Sequence, residues 1–213
     1  FLSGARFEYI KTLGSGIRTE DYGVYQVKSQ KLEPTMLFAS RLLIDKGVDL
    51  YIDAVSALKE RGYKFSALIA GKIDLDDGTY ISKAKLAVAE QYNYCEYLGE
   101  IDNMHDIWGD IDILVLPSQY NEGVPKVILE ALAAKCLVIT TNRACMREVI
   151  IDGENGILID EPYQKSLLEN LGLLIKDIEL RKKLTNFQLE ILRFDVSEVV
   201  NAHMGFIEKN LKD

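Results

Sequence analysis

No segment of this sequence holds the ~18 consecutive apolar residues of a membrane-spanning helix, and its amino end lacks the charged, apolar and small-residue succession of a cleaved leader. Both absences point to a cytoplasmic chain. Cysteine and histidine are scarce, with three Cys and two His in 213 residues. Cys95, Cys136 and Cys145 form no CxxC pair, and His105 and His203 add no zinc-ligand spacing, so reduced, buried thiols are expected and a metal is not. Basic residues are the minority, 25 against 33 acidic for a net charge of -8. Because they are also scattered, a broad nucleic-acid footprint is excluded. Phosphate-loop signatures are missing too: Gly14-Ser15-Gly16 falls short of GxGxxG, since Thr19 stands where the third glycine belongs, and Gly71-Lys72 lacks the flanking residues of a P-loop. Without a GxSxG turn a serine nucleophile has no support, and His105 reads as a surface or satisfied structural residue.

What is present is an ordinary globular composition, 48% hydrophobic and 27% charged, over a length that suits one α/β domain. After Pro34, short apolar runs alternate with longer helical patterns, the signature of βαβ units around a parallel sheet. Met36 to Ser40, Phe65 to Ala70, Tyr94 to Leu98, Ile111 to Leu116 and Leu137 to Thr141 are nearly continuous in apolar content, as strands buried on both faces should be, and Gly156 to Ile159 is a sixth candidate. Helices are expected over Val48 to Arg61, stopped by Gly62, and over Pro125 to Ala134, with Pro125 in the first turn. Beyond Glu161 the strands cease and a helical tail follows, through Leu167 to Ile175, Leu180 to Leu192 and Val196 to Leu211. Its last stretch carries Val199, Val200, Met204, Phe206 and Ile207, which need a surface to cover. The opening at Phe1 rather than methionine suggests a piece of something longer.

In an open parallel sheet, ligands bind beyond the carboxyl ends of the strands. The unusual residues of this sequence gather at that edge. Arg41 and Lys46, with four residues between them in the connection after Met36 to Ser40, combine a planar fork with a mobile point charge and could clamp a diphosphate. Solvated loop charges fit the same spacing. Glu122 and Glu130 flank the start of the Pro125 helix, whose free Lys126 and Val127 amides suit an anion while the carboxylates suit sugar hydroxyls. Glutamates that merely favour a helix dipole would look alike.

Taken in order, Gly14-Ser15-Gly16-Ile17, Ser40-Arg41 with Lys46-Gly47, Tyr97-Leu98-Gly99, Leu116-Pro117-Ser118, the Glu122 to Glu130 segment, and Glu148-Val149 with Asp152-Gly153-Glu154-Asn155-Gly156 resemble the carboxyl-terminal half of the retaining GT-B glycosyltransferases of group 1. The resemblance spans almost the whole chain. It implies a Rossmann-like three-layer α/β/α parallel sheet with a helical tail, one half of a GT-B fold. Residues 1–213 would form a single nucleotide-sugar-binding domain, with 1–15 as the interdomain connection, 196–213 as the tail, and the amino-terminal acceptor domain absent.

By the same resemblance, Arg41 and Lys46 would hold the donor diphosphate and Glu130 the ribose hydroxyls. Glu122 would contact the transferred sugar, helped by amides of Gly123, Val124, Pro125, Lys126 and Val127 as far as each has one. Leu98 would mark the backbone site of the base and Ser118 the rim, and Gly16 would also belong to the donor site. The implied reaction moves a hexose, with retention, from a UDP-sugar to a glycan or lipid-linked glycan in surface polysaccharide synthesis, without metal or other cofactor. The full-length enzyme would be peripheral at the inner face of the membrane, and the isolated half inactive. Lys135 and Leu137 replace a common glycine and proline, and Cys145 replaces a frequent glycine, where a side chain would narrow the pocket or point away. Two rival readings are a UDP-N-acetylglucosamine 2-epimerase-like enzyme and a non-catalytic nucleotide-binding module.

Overall fold

A computed structural model of the chain describes residues 16–22, 31–73, 83–120, 123–186 and 194–210, with the side chains of 83–84 and 206–210 left aside. The apolar runs become six parallel strands: β1 (Thr35–Ala39), β2 (Ser66–Ala70), β3 (Glu96–Tyr97), β4 (Ile113–Leu116), β5 (Leu137–Thr141) and β6 (Gly156–Ile159). They lie in the order β3-β2-β1-β4-β5-β6, the doubly wound Rossmann order. β4 and β5 are buried along their whole length, which explains their unbroken apolar sequence. β3 is shorter than expected. Only Glu96 and Tyr97 pair with β2, while the Tyr94 amide is taken by the Ala89 carbonyl at the end of the preceding helix.

Helices α1 (Val48–Glu60), α2 (Lys83–Gln91), α3 (Lys126–Ala133), α4 (Tyr163–Lys176), α5 (Ile178–Thr185) and α6 (Val196–Asn210) connect and follow the strands. Because crossovers are right-handed and the strand order reverses between β1 and β4, α1 and α3 cover opposite faces. α1 packs against α4 and α2, and α3 against β5. Gly62 closes α1 as expected: its N–H donates to the Lys59 carbonyl at 2.9 Å and that of Tyr63 to Leu58 at 3.1 Å, the two bonds of a Schellman end. Asp177 ends α4 and starts α5, its Oδ1 accepting from the Leu180 N–H at 2.8 Å. The helix expected over Leu180 to Leu192 therefore begins earlier and stops at Thr185, and 187–193 lie outside the described residues.

The tail is strapped to residues 16–22. Ile17 and Val196 exchange backbone bonds of 2.9 Å with Phe194 and Ile17. Asp195 accepts from the hydroxyls and amides of Ser197 and Thr19, and these bonds hold its carboxyl well below the usual range. Along α6, Val196, Val200 and Met204 are exposed at intervals of four residues, one stripe of the helix surface. Among the described residues no helix is long and apolar enough to cross a membrane.

Candidate functional site

The winding reverses between β1 and β4, so the loops leaving their carboxyl ends diverge and open a crevice. Arg41 leaves β1 exposed, whereas Lys46, at the end of a 3-10 turn over Ile44–Lys46, is only 6% exposed. The loop after β4 leans on that turn. The Gln119 N–H donates to the Asp45 carbonyl at 2.7 Å, and a Cβ on Gly47 would lie 2.4 Å from the Pro117 oxygen. Ser118, expected at the rim, is buried beneath it: its carbonyl accepts from the Thr141 hydroxyl and its hydroxyl from the Tyr120 N–H.

α3 opens on this crevice. Pro125 is the N-cap, with φ -62° and ψ 132°, one position before the first-turn place expected of it. Pro125 brings no side-chain cap of its own and no acid stands in the first turn, so the amides and positive dipole of the helix start suit an anion. Lys126 adds a cation there, and its Nζ lies 3.2 Å from Oε1 of the buried Glu130. A lysine N-terminal to its glutamate is the weaker orientation of such a pair. The local arrangement is therefore rich in positive charge and would gain from an anion. Val124 is buried and Gly123 exposed; Glu122 and residues 1–15, including Gly14-Ser15, lie outside the described residues.

Two cavities flank α3 along the crevice, and a third lies beside its start. The first, about 250 Å³, is lined by Ser40, Arg41, Gly71, Glu100, Met104 and Val127 among others. Its floor is tied by Tyr97, whose hydroxyl donates to the Gly71 carbonyl at 2.8 Å; burial, then Glu100 and Glu90, push this phenol above its usual pKa, so it stays a neutral donor. Leu98 is not among the lining residues: its N–H is spent on the Ile69 carbonyl at 2.8 Å. The second cavity, about 550 Å³, joins Gly123 to Asn142, Arg143, Cys145, Glu148 and Tyr163. A third, about 300 Å³, sets Gly16, Arg18 and Asp21 beside Lys126 and Val196.

The structure thus brings Arg41, Lys46, Gly123, Lys126, Val127 and Glu130 to one edge, with Gly16 beside Lys126 and Leu98 and Ser118 in supporting places. Sequence reasoning missed Glu100, Met104 and Tyr120. The strand-end rule already pointed at Gly71, but nothing in the spacing marked these three. Cys145 has φ -63° and ψ -38°, so its backbone does not need glycine, and its half-buried side chain packs towards the core at the cavity wall. Cys145→Gly should therefore cost about 1 kcal/mol of stability, read by thermal melting, and leave nucleotide affinity within about twofold. A large gain in affinity would show that the thiol obstructs the pocket. Among the described residues no three His, Cys, Asp or Glu side chains are grouped to hold a metal ion.

A doubly wound parallel sheet with a crevice at its switch point is the Rossmann-like architecture. The chain belongs to the family of glycosyl transferases group 1, which it matches over residues 25–188. It is 24% identical over 237 residues to the N,N'-diacetylbacillosaminyl-diphospho-undecaprenol alpha-1,3-N-acetylgalactosaminyltransferase of Campylobacter jejuni, covering all of this chain and 60% of that protein. The fold is that of a carboxyl-terminal GT-B half. It superposes on the C-terminal domain of a glycosyl transferase group 1 family protein (LpcC) from Francisella tularensis with a TM-score of 0.63 and 24% identity, covering 88% of this chain and 98% of that one. Anabaena HepE, solved with UDP-glucose, gives a TM-score of 0.74 at 18% identity over 93% of this chain and 56% of that one. The chain spans 40% and 60% of the length of the first two curated relatives it matches. Relatives are named for capsular polysaccharide, lipopolysaccharide core and undecaprenol-linked glycan synthesis.

Proposed function

We propose that the chain is the donor-binding half of a retaining hexosyltransferase that takes a UDP-sugar and delivers the sugar to a hydroxyl of a glycan or lipid-linked glycan. The observation that carries this reading is the meeting, at one switch point, of the buried Lys46, the exposed Arg41 and the start of α3 above the buried Glu130. A diphosphate would lie against the two cations and the α3 amides, a ribose would present its hydroxyls to the Glu130 carboxylate, and the base would enter the cavity over Gly71. The cations would stabilise the charge that grows on the departing diphosphate, with no metal invoked for that task. Binding of UDP or UDP-sugar by the structural neighbour HepE supports the choice of base. The acceptor site would belong to an amino-terminal half, and the exposed stripe of Val196, Val200 and Met204 would pack against it. The whole enzyme would work at the cytoplasmic face of a membrane, and this half alone would bind donor without turning over.

The test is a calorimetric titration of the chain with UDP, GDP and ADP, without metal, alongside Glu130→Ala. UDP should bind selectively, and the variant should lose at least about tenfold, since a charged acceptor for two hydroxyls contributes about 1.5–3 kcal/mol. Equal binding of the three nucleotides, or an unaffected variant, would sink the assignment of base or of Glu130.

A further inference from the structure

Burying an ammonium is costly unless its surroundings replace the lost hydration, and Lys46 is 6% exposed. Part of the replacement comes from Tyr120, whose ring centroid lies 4.7 Å from Lys46 Nζ, within the reach at which a ring face attracts a cation. Tyr120 is 42% exposed while Lys46 is buried, so the tyrosine lies on the outer side of the ammonium. Its place is set by the backbone around it. The Tyr120 N–H donates to the Ser118 hydroxyl at 3.3 Å, the Thr141 hydroxyl holds the Ser118 carbonyl, and the Gln119 N–H bonds Asp45, the residue before Lys46. Ring and ammonium thus belong to one junction between the loops after β1 and β4.

We propose that Tyr120 is a positioning residue that holds the Lys46 ammonium in place for an incoming diphosphate; the proposal rests on the donor-binding reading above. A lysine side chain has four flexible carbons, and without a guide the cost of ordering it falls on the ligand. The ring supplies the guide on one side. A phenol is not required for this, only an aromatic face.

The test titrates UDP into the chain carrying Tyr120→Phe or Tyr120→Leu, each with Lys46 intact and with Lys46→Met. Tyr120→Phe should stay within about twofold and Tyr120→Leu should weaken binding roughly fivefold, an effect that disappears when Lys46 is methionine. A Tyr120→Leu loss that persists beside Lys46→Met would overturn the proposal, because the ring would then act on the nucleotide directly. So would a Tyr120→Leu variant that binds as well as the parent. In the absence of nucleotide, the Lys46 ε-methylene proton resonances should show an upfield ring-current shift in the parent and Tyr120→Phe chains and lose it in Tyr120→Leu. UDP binding without that shift overturns the positioning role alone. The shift without any UDP binding overturns the donor reading, and the role falls with it.

Discussion

Lys46→Met should weaken UDP binding by about ten- to a hundredfold while leaving uridine binding unchanged. A charge-assisted hydrogen bond to phosphate contributes about 1.5–3 kcal/mol, and Lys46 sits where water does not screen it, with 6% of its surface exposed. Uridine carries the same base and ribose without the diphosphate, so the comparison isolates the ammonium's partner. Arg41→Ala should show the same selectivity with a smaller loss, about three- to tenfold. Arg41 is exposed, and its share should shrink as salt rises whereas that of Lys46 should persist. In the full-length enzyme the Lys46→Met loss should fall on kcat, because the diphosphate gains charge as the sugar departs and an interaction strengthened in the transition state is read there. If uridine and UDP lose affinity equally, Lys46 is shaping the pocket rather than meeting the phosphates.

The central strands were legible because burial on both faces demands unbroken apolar runs, and β4 and β5 obey that rule. β3 was overread for a physical reason. Tyr94 and Cys95 are apolar enough for a strand, but at the sheet edge Tyr94 caps the end of α2 and stacks on Tyr92 instead of extending the ladder. The division between α4 and α5 rests on one aspartate, Asp177, which serves as cap to both. The apolar pattern already parted Leu167 to Ile175 from Leu180 to Leu192, and what it did not show is that this aspartate lets α5 begin as early as Ile178. Arg181 shows what composition cannot reveal: an arginine with no exposed surface, whose guanidinium donates to the carbonyls of Leu174, Ile175 and Lys31 and so closes the end of α4. Burial lowers its pKa, and Asp112 and Asp177 partly offset that.

At the site, linear spacing served for what is local. Arg41 and Lys46 share one loop, and Lys126 and Glu130 share one turn of α3, so their proximity follows from residue numbers. Contacts between loops from different strands do not. Tyr120 over Lys46 joins the ends of β1 and β4, 74 residues apart in the chain, and only the sheet order makes them neighbours. The Gly71 cavity likewise depends on β1, β2 and α3 meeting.

Among the described glycines, Gly71→Ala should be the most damaging alanine substitution. The glycine has φ +141°, a conformation L side chains rarely adopt, and a Cβ there would stand 1.7 Å from the Ser40 carbonyl oxygen. Neither partner can yield cheaply. The Ser40 N–H is bonded to the Ala70 carbonyl, the Gly71 N–H to the Gly99 carbonyl, and the Gly71 carbonyl to the Tyr97 hydroxyl. Backbone strain of about 1–3 kcal/mol then adds to about 1–3 kcal/mol of overpacking. For a domain of this length each kcal/mol lowers the melting temperature by about 2–4 °C, so a fall of roughly 5–20 °C is expected. Gly62→Ala provides the control, because a Cβ there meets nothing within 4 Å and only strain of about 1 kcal/mol remains. Since Ser40 precedes Arg41, relief of the overlap must move the loop that carries the arginine. UDP affinity measured below the melting transition should therefore fall in Gly71→Ala and hold in Gly62→Ala. A Gly71→Ala chain that melts with its control and binds UDP normally would mean that β1 and β2 do not approach at their carboxyl ends as closely as this crevice requires.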